Sequence, residues 1–209
     1  TVTYDGTTTW VVSGIKDLVV LKSTDSEFWG YIQDKYTTLQ PTHDRIMATS
    51  LKAQWRHDGT DVDWGKSYDT TLQAMLDSFA GHHSLALQHT LYEMGAAVIN
   101  GQPGIAEIRF SAPNKHHFIY DLARFDIENN NEVFHADDRP YGLIEATVRR
   151  DDAGDVELTL AEGDRHPLPL PVANDREDCH VLRLQARDDP DHVVGAVDGR
   201  AVDRDDHVA

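Results

Sequence analysis

The chain has 209 residues, 40% of them hydrophobic, a single cysteine and a formal charge of −17 at pH 7. That composition supplies enough apolar material for a real core, while the lone Cys179 excludes an internal disulfide framework and any multi-cysteine metal site within the chain. The negative charge argues against a nucleic-acid partner, which needs clustered Lys and Arg, and no apolar run approaches the roughly 20 residues that span a bilayer.

In chain order, "TWVVSGIKDLVVLKST" is rich in β-branched residues and "RIMATSLKAQWRH" alternates apolar with polar, so the two predict long strands paired as a hairpin across an extended connection. Next, "SYDTTLQAMLDSFAG" sets Leu72, Met75, Leu76 and Phe79 at helical spacing and stops at Gly81. "SLALQHTLYEMGAAVING" repeats the pattern with Leu87, Leu91, Met94 and Val98 before Gly101. Those positions predict core packing of two amphipathic helices. "IAEIRFSA" and "HHFIYDL" then predict two more strands with a turn at "PNK" between them, and "YGLIEATVRR" predicts a last strand. The order ββααββ is that of an α+β domain, an antiparallel sheet with both helices on one face.

A boundary is expected near residue 150. Residues 1–150 carry 13 Lys plus Arg against 20 Asp plus Glu, whereas 151–209 carry 6 against 16, with no lysine and no aromatic residue. Low hydrophobicity with high charge predicts an acidic, poorly ordered tail or a loosely attached hairpin, with little to bury beyond "VELTL" and "HVLRLQA".

Histidine is the conspicuous candidate for chemistry, with 12 copies including His82-His83 and His116-His117. Metal ligands on one helix face want His at i, i+4 with a nearby carboxylate, as in HExxH, and no such pattern occurs. His82, His83 and His89 fall at an interhelical turn and a helix start, where exposed histidines are ordinary. In "APNKHHFIYDL" strand alternation puts Asn114 and His116 on one face and Lys115 and His117 on the other. Taken on its residues alone, this reads more simply as Asn114 closing a turn and His116 capping a strand edge.

Residues 9–150 resemble the C-terminal half of the urate oxidase (uricase) family. The resemblance runs through "GIKDLVVLKSTDSEFWGYIQDKYTTLQPTHDRIMATSLKAQWRH", "SLALQHTLYEM", "APNKHHFIYDL" and "NEVFHADDRPYGLIEATV", in the family's order and spacing. It implies the tunnelling fold, built of ββααββ units, and oxidation of urate by dioxygen to 5-hydroxyisourate and hydrogen peroxide without a metal or organic cofactor. Carried over by position, Phe28 in "SEFWG" would stack on the purine, and Arg45 in "HDRIM" would grip its edge with a planar fork of donors. Leu87, through its backbone amide, and Gln88, through its side chain, would hold the opposite edge. Asn114 would line the dioxygen and water site, His116 would serve in a proton relay, and Ile144 would line the pocket. Lys115 and His117 would be structural. On the residues alone, Phe28 and Ile144 read equally as core, Arg45 as a surface partner of Asp44 and Gln88 as solvent-facing.

The same resemblance implies what is missing from the matched region. The relay's lysine and threonine belong to the family's first half, which no segment here matches, so the chain is expected to lack normal activity alone or to work with a separate N-terminal half. The alternative is a non-catalytic purine-binding fragment. A single unit leaves sheet edges open, so a homo-oligomer, a tetramer as in the family, is expected. A cytoplasmic location is expected too, there being no SKL-type address.

Overall fold

A computed structural model describes residues 1–137 and 141–153 with their side chains, and the backbone of 181–185, 195–197 and 200–202. Among the described residues there are nine strands and two α-helices: β1 (Val2–Tyr4), β2 (Thr9–Lys22), β3 (Met47–His57), α1 (Trp64–Gly81), α2 (Leu87–Gly101), β4 (Ile105–Ile119), β5 (Phe134–Asp137), β6 (Leu143–Arg149), β7 (Val181–Gln185), β8 (Gly195–Val197) and β9 (Arg200–Val202). The main sheet runs β1-β2-β3-β4-β6-β7 with β5 added on β4. Its pairings are antiparallel except β6 with β7. β7 takes up most of "HVLRLQA". Residues 151–153 and the short pair β8 and β9 are described as well; the rest of the acidic segment, and with it most of the expectation of poor order, lies outside the described residues.

The two-residue repeat of β3 explains how the layers meet. Met47, Leu51, Ala53 and Trp55 alternate onto one face and are wholly buried, joined there by Ile108, Phe110 and Ala112 of β4 and by Ala146 and Val148 of β6. Met75 and Phe79 of α1 and Leu87, Leu91, Met94 and Val98 of α2 close over this face, as their helical spacing predicts. Helix α1 is capped by Asp63, whose Oδ1 accepts from Lys66 N at 3.1 Å. At the other end of the layer, Arg150 donates to the carbonyls of Ile99, Gln102 and Ile105, which ties the end of β6 to the last turn of α2.

The predicted turn at "PNK" does not form. β4 is one 15-residue strand, and Pro113 lies inside it, paired with Leu143 at the first position of β6. A proline that cannot donate is tolerated there because β4 is changing partners, from β6 over Glu107–Pro113 to β5 over His116–Ile119. Asn114 N donates instead to Gly142 O at 2.9 Å, just ahead of β6. Asn114 therefore closes no turn, and His116 lies within the ladder rather than at a strand edge.

Candidate active site

The continuous β4 carries Asn114 and His116 onto the helix-covered face, in line with Ile108, Phe110 and Ala112. Asn114 stands opposite Thr49 of β3. Lys115 stands opposite Ala48 and turns to the other face, where Lys115 and His117 line a groove of about 300 Å³ with Val19, Leu21, Ala48, Ala136 and Asp137. The strand alternation read from sequence is thus realised, although the turn assumed beside it is not.

Two irregular loops bring further side chains to this end of the sheet. After β2 the chain makes a bridge from Ser26 to Ser84, in the turn between α1 and α2, and another from Phe28 to Thr42. Glu27 N donates to Ser84 O, Ser84 N to Asp25 O, Phe28 N to Thr42 O and Arg45 N to Ser26 O, all within 2.8–2.9 Å. Ser26 and Ser84 are fully buried at the junction. Three segments distant in sequence, those of Phe28, Arg45 and the start of α2, are therefore stitched together by backbone bonds.

Within that frame the Arg45 guanidinium lies 5.5 Å from the centre of the Phe28 ring. Phe28 itself stacks on Tyr31 at 4.6 Å with planes 14° apart, while Trp29 is exposed and contacts His43. Arg45 is no surface partner of Asp44, whose carboxylate takes a hydrogen bond from Thr24 instead. Burial lowers the pKa of Arg45. The His116 imidazole is likewise pushed below its usual range, first by burial and then by the charge of Arg45, with Asp137 opposing and His117 adding to the fall. It stacks on Phe118 at 5.5 Å. Burial and the nearby cation both disfavour the imidazolium, so the ring is held toward its neutral form.

Several polar atoms here are buried with no hydrogen-bond partner among the described residues: Arg45 Nε, Asn114 Oδ1, Thr49 Oγ1 and Ser26 Oγ. Such groups cost free energy unless something polar meets them. Thr49 and Ser26 were not singled out in the sequence; the position of Thr49 opposite Asn114 depends on a register that no local pattern reveals. Leu87 is 1% exposed, and no side chain caps the helix it begins. The half-buried Gln88 side chain makes no hydrogen bond to the described residues. Ile144 packs against the core beside Ala112, on the Asn114 face. A cation–ring contact thus joins Phe28 and Arg45, the charge of Arg45 reaches His116, register adds Asn114, Thr49 and Ile144, and Leu87 and Gln88 follow Ser84 at the same junction.

Two of the histidines near the interhelical turn are engaged locally. His82 is half-buried rather than exposed, its ring shared between Ser78 O and Thr90 Oγ1, and His89 pairs with Glu93 at 3.4 Å.

A sequence model of the uricase family matches residues 11–145. The chain belongs to the uricase family. It is 57% identical over 141 residues to the uricase of Arthrobacter globiformis, covering 68% of this chain and 47% of that protein. It is 41% identical over 140 residues to the uricase of Dictyostelium discoideum, covering 67% and 49%. The crystal structure of the Arthrobacter globiformis uricase superposes with a TM-score of 0.71 at 53% identity, over 73% of this chain and 53% of that one. A uricase structure from Bacillus fastidious, at 23% identity and a TM-score of 0.56, shares the fold. The antiparallel sheet with its two helices is therefore the tunnelling fold of uricases, and the chain spans about half the length of the curated relatives it matches.

Proposed function

We propose that this chain supplies the urate-gripping and oxygen-side part of a urate oxidase site. The observation that carries the reading is that Arg45, Asn114 and Thr49 keep buried polar atoms without partners, with Arg45 against Phe28 and Thr49 opposite Asn114, two residues from His116. A flat anion bearing carbonyl and N–H edges would satisfy them. Phe28 offers a stacking face, the Arg45 fork pairs with a urate carbonyl and ring nitrogen, and Gln88 with the Leu87 N–H reads the opposite edge.

In the proposed reaction urate, dioxygen and water give 5-hydroxyisourate and hydrogen peroxide. Urate supplies two electrons, dioxygen takes them with two protons, and water adds its oxygen to the purine. The protein's task is to hold the anion flat, keep oxygen and then water over it near Asn114, and move protons through His116. The lowered pKa of His116 keeps its ring neutral, the form with a free nitrogen that can receive a proton and pass it on. Its relay partners, the lysine and threonine that the resemblance assigns to the family's other half, come from residues outside this sequence, in the same polypeptide or a separate one. Exposed Trp29, Ile32 and Tyr36 in the loop after Phe28, with Val19 and Leu21 on the open sheet face, favour a homo-oligomer, a tetramer in the family's manner.

The test is urate binding by the purified chain in equilibrium dialysis, with turnover followed by loss of urate's ultraviolet absorbance. Binding with little turnover, abolished by Arg45→Met, is the expected result. Absence of binding would overturn the reading, and full turnover by the chain alone would refute the need for outside relay residues.

A further inference from the structure

Glu27 immediately precedes Phe28, yet its side chain turns away from solvent and is 12% exposed. Its two carboxylate oxygens face two imidazoles from different segments. Oε2 lies 3.5 Å from Nδ1 of His43, in the loop that leads to Arg45, and Oε1 lies 3.5 Å from Nε2 of His83, in the turn that leads to Leu87 and Gln88. The other nitrogen of His83 is 3.3 Å from Asp25. We infer that Glu27 is a positioning residue, a carboxylate bridge between His43 and His83 that holds the three segments carrying Phe28, Arg45 and Gln88 in register.

This rests on the urate-site reading for its functional meaning, although the bridge itself is a matter of geometry. Burial acts to raise the Glu27 pKa, but Trp29, His43 and His83 together outweigh it and hold the carboxyl below its ordinary range. An ionised carboxylate is the counter-charge that suits two imidazoles at 3.5 Å. The side-chain bridge also spans the same three segments as the backbone bonds among Asp25–Phe28, Thr42, Arg45 and Ser84, so the two sets reinforce each other. With the ring-stacking residue next in sequence, a shift of the bridge moves the Phe28 plane relative to the Arg45 fork, and misplacement of that kind is costly to a bound reactant.

Amide hydrogen exchange on the ligand-free chain tests the bridge without any substrate. Glu27→Ala should speed exchange at Thr42, Arg45 and Ser84 by about threefold or more, as expected for losing two ion-pair contacts, and leave β3 unchanged. The single arms should separate: His43→Ala, at a ring already 75% exposed, loosens Thr42 and Arg45 but not Ser84, whereas His83→Ala does the reverse. Urate affinity should weaken about tenfold in Glu27→Ala. Unchanged exchange in Glu27→Ala, loosening that ignores the division into arms, or wild-type urate affinity in Glu27→Ala would each overturn the inference. Should the wild-type chain bind no urate, the functional reading fails, and the exchange pattern alone decides the bridge.

Discussion

Arg45 combines a cost to the fold with a use to the site. Its guanidinium is largely removed from solvent, with no carboxylate in ion-pair reach among the described residues, and a buried cation without a counter-charge is destabilising. Arg45→Met should therefore leave the urea midpoint unchanged or raise stability by up to about 2 kcal/mol, while urate binding is lost. The same substitution removes a charge that depresses the His116 imidazole. An NMR titration should show the His116 pKa moving upward in Arg45→Met. His57 gives a separate pH response: it is 3% exposed, its Nε2 lies 3.0 Å from Ser13 Oγ, and burial lowers its pKa. Because the folded value lies below the unfolded one, its share of stability is complete above about pH 6.5 and lost as pH falls through the folded value, where the unfolded chain binds the extra proton. Denaturation midpoints should decline below that pH, and His57→Gln should flatten the decline.

At the scale of elements, the packing of α2 on β6 depends on a missing side chain. A Cβ on Gly95 would lie 2.4 Å from Cγ2 of Val148 and 3.2 Å from the Phe110 ring, and Val148 is wholly buried. Alanine would gain about 1 kcal/mol in helix propensity, yet the clash costs more. Gly95→Ala should lower stability by roughly 1–3 kcal/mol in urea unfolding. Arg150→Met should also destabilise, by about 1–3 kcal/mol, because three carbonyls at the end of α2 and the start of β4 lose their donor. The helices were legible from spacing, since an amphipathic period is a local property. The unity of β4 was not: "PNK" has the composition of a turn, and only the exchange of partners from β6 to β5 makes room for Pro113 within a strand.

Over the whole molecule, as far as the described residues go, one sheet face is sealed by helices and the other carries no covering layer. Val19 and Leu21 are 64% and 53% exposed, and Ile32 and Tyr36 in the loop beside the candidate site are 73% and 75% exposed. Apolar surface gathered at a sheet face and an adjoining loop favours burial against another copy or another chain. Sedimentation velocity should show self-association at micromolar concentration, and Ile32→Glu with Tyr36→Glu should shift the population toward the monomer without lowering the thermal midpoint, since both side chains are exposed.

The sequence by itself determined the two helices, the strands β2, β3 and β6, and the family, because helical and strand periods and motifs in register are written locally along the chain. It also set the division of "NKHH" into two faces, since strand alternation follows from backbone geometry once a strand exists. Only the tertiary structure decided that Arg45 is buried against Phe28 and near His116, that Thr49 stands opposite Asn114, and that Glu27 reaches two histidines at once. Those relations depend on strand register and on loops closed by bridges across tens of residues, and no short stretch of sequence encodes a contact with a distant one.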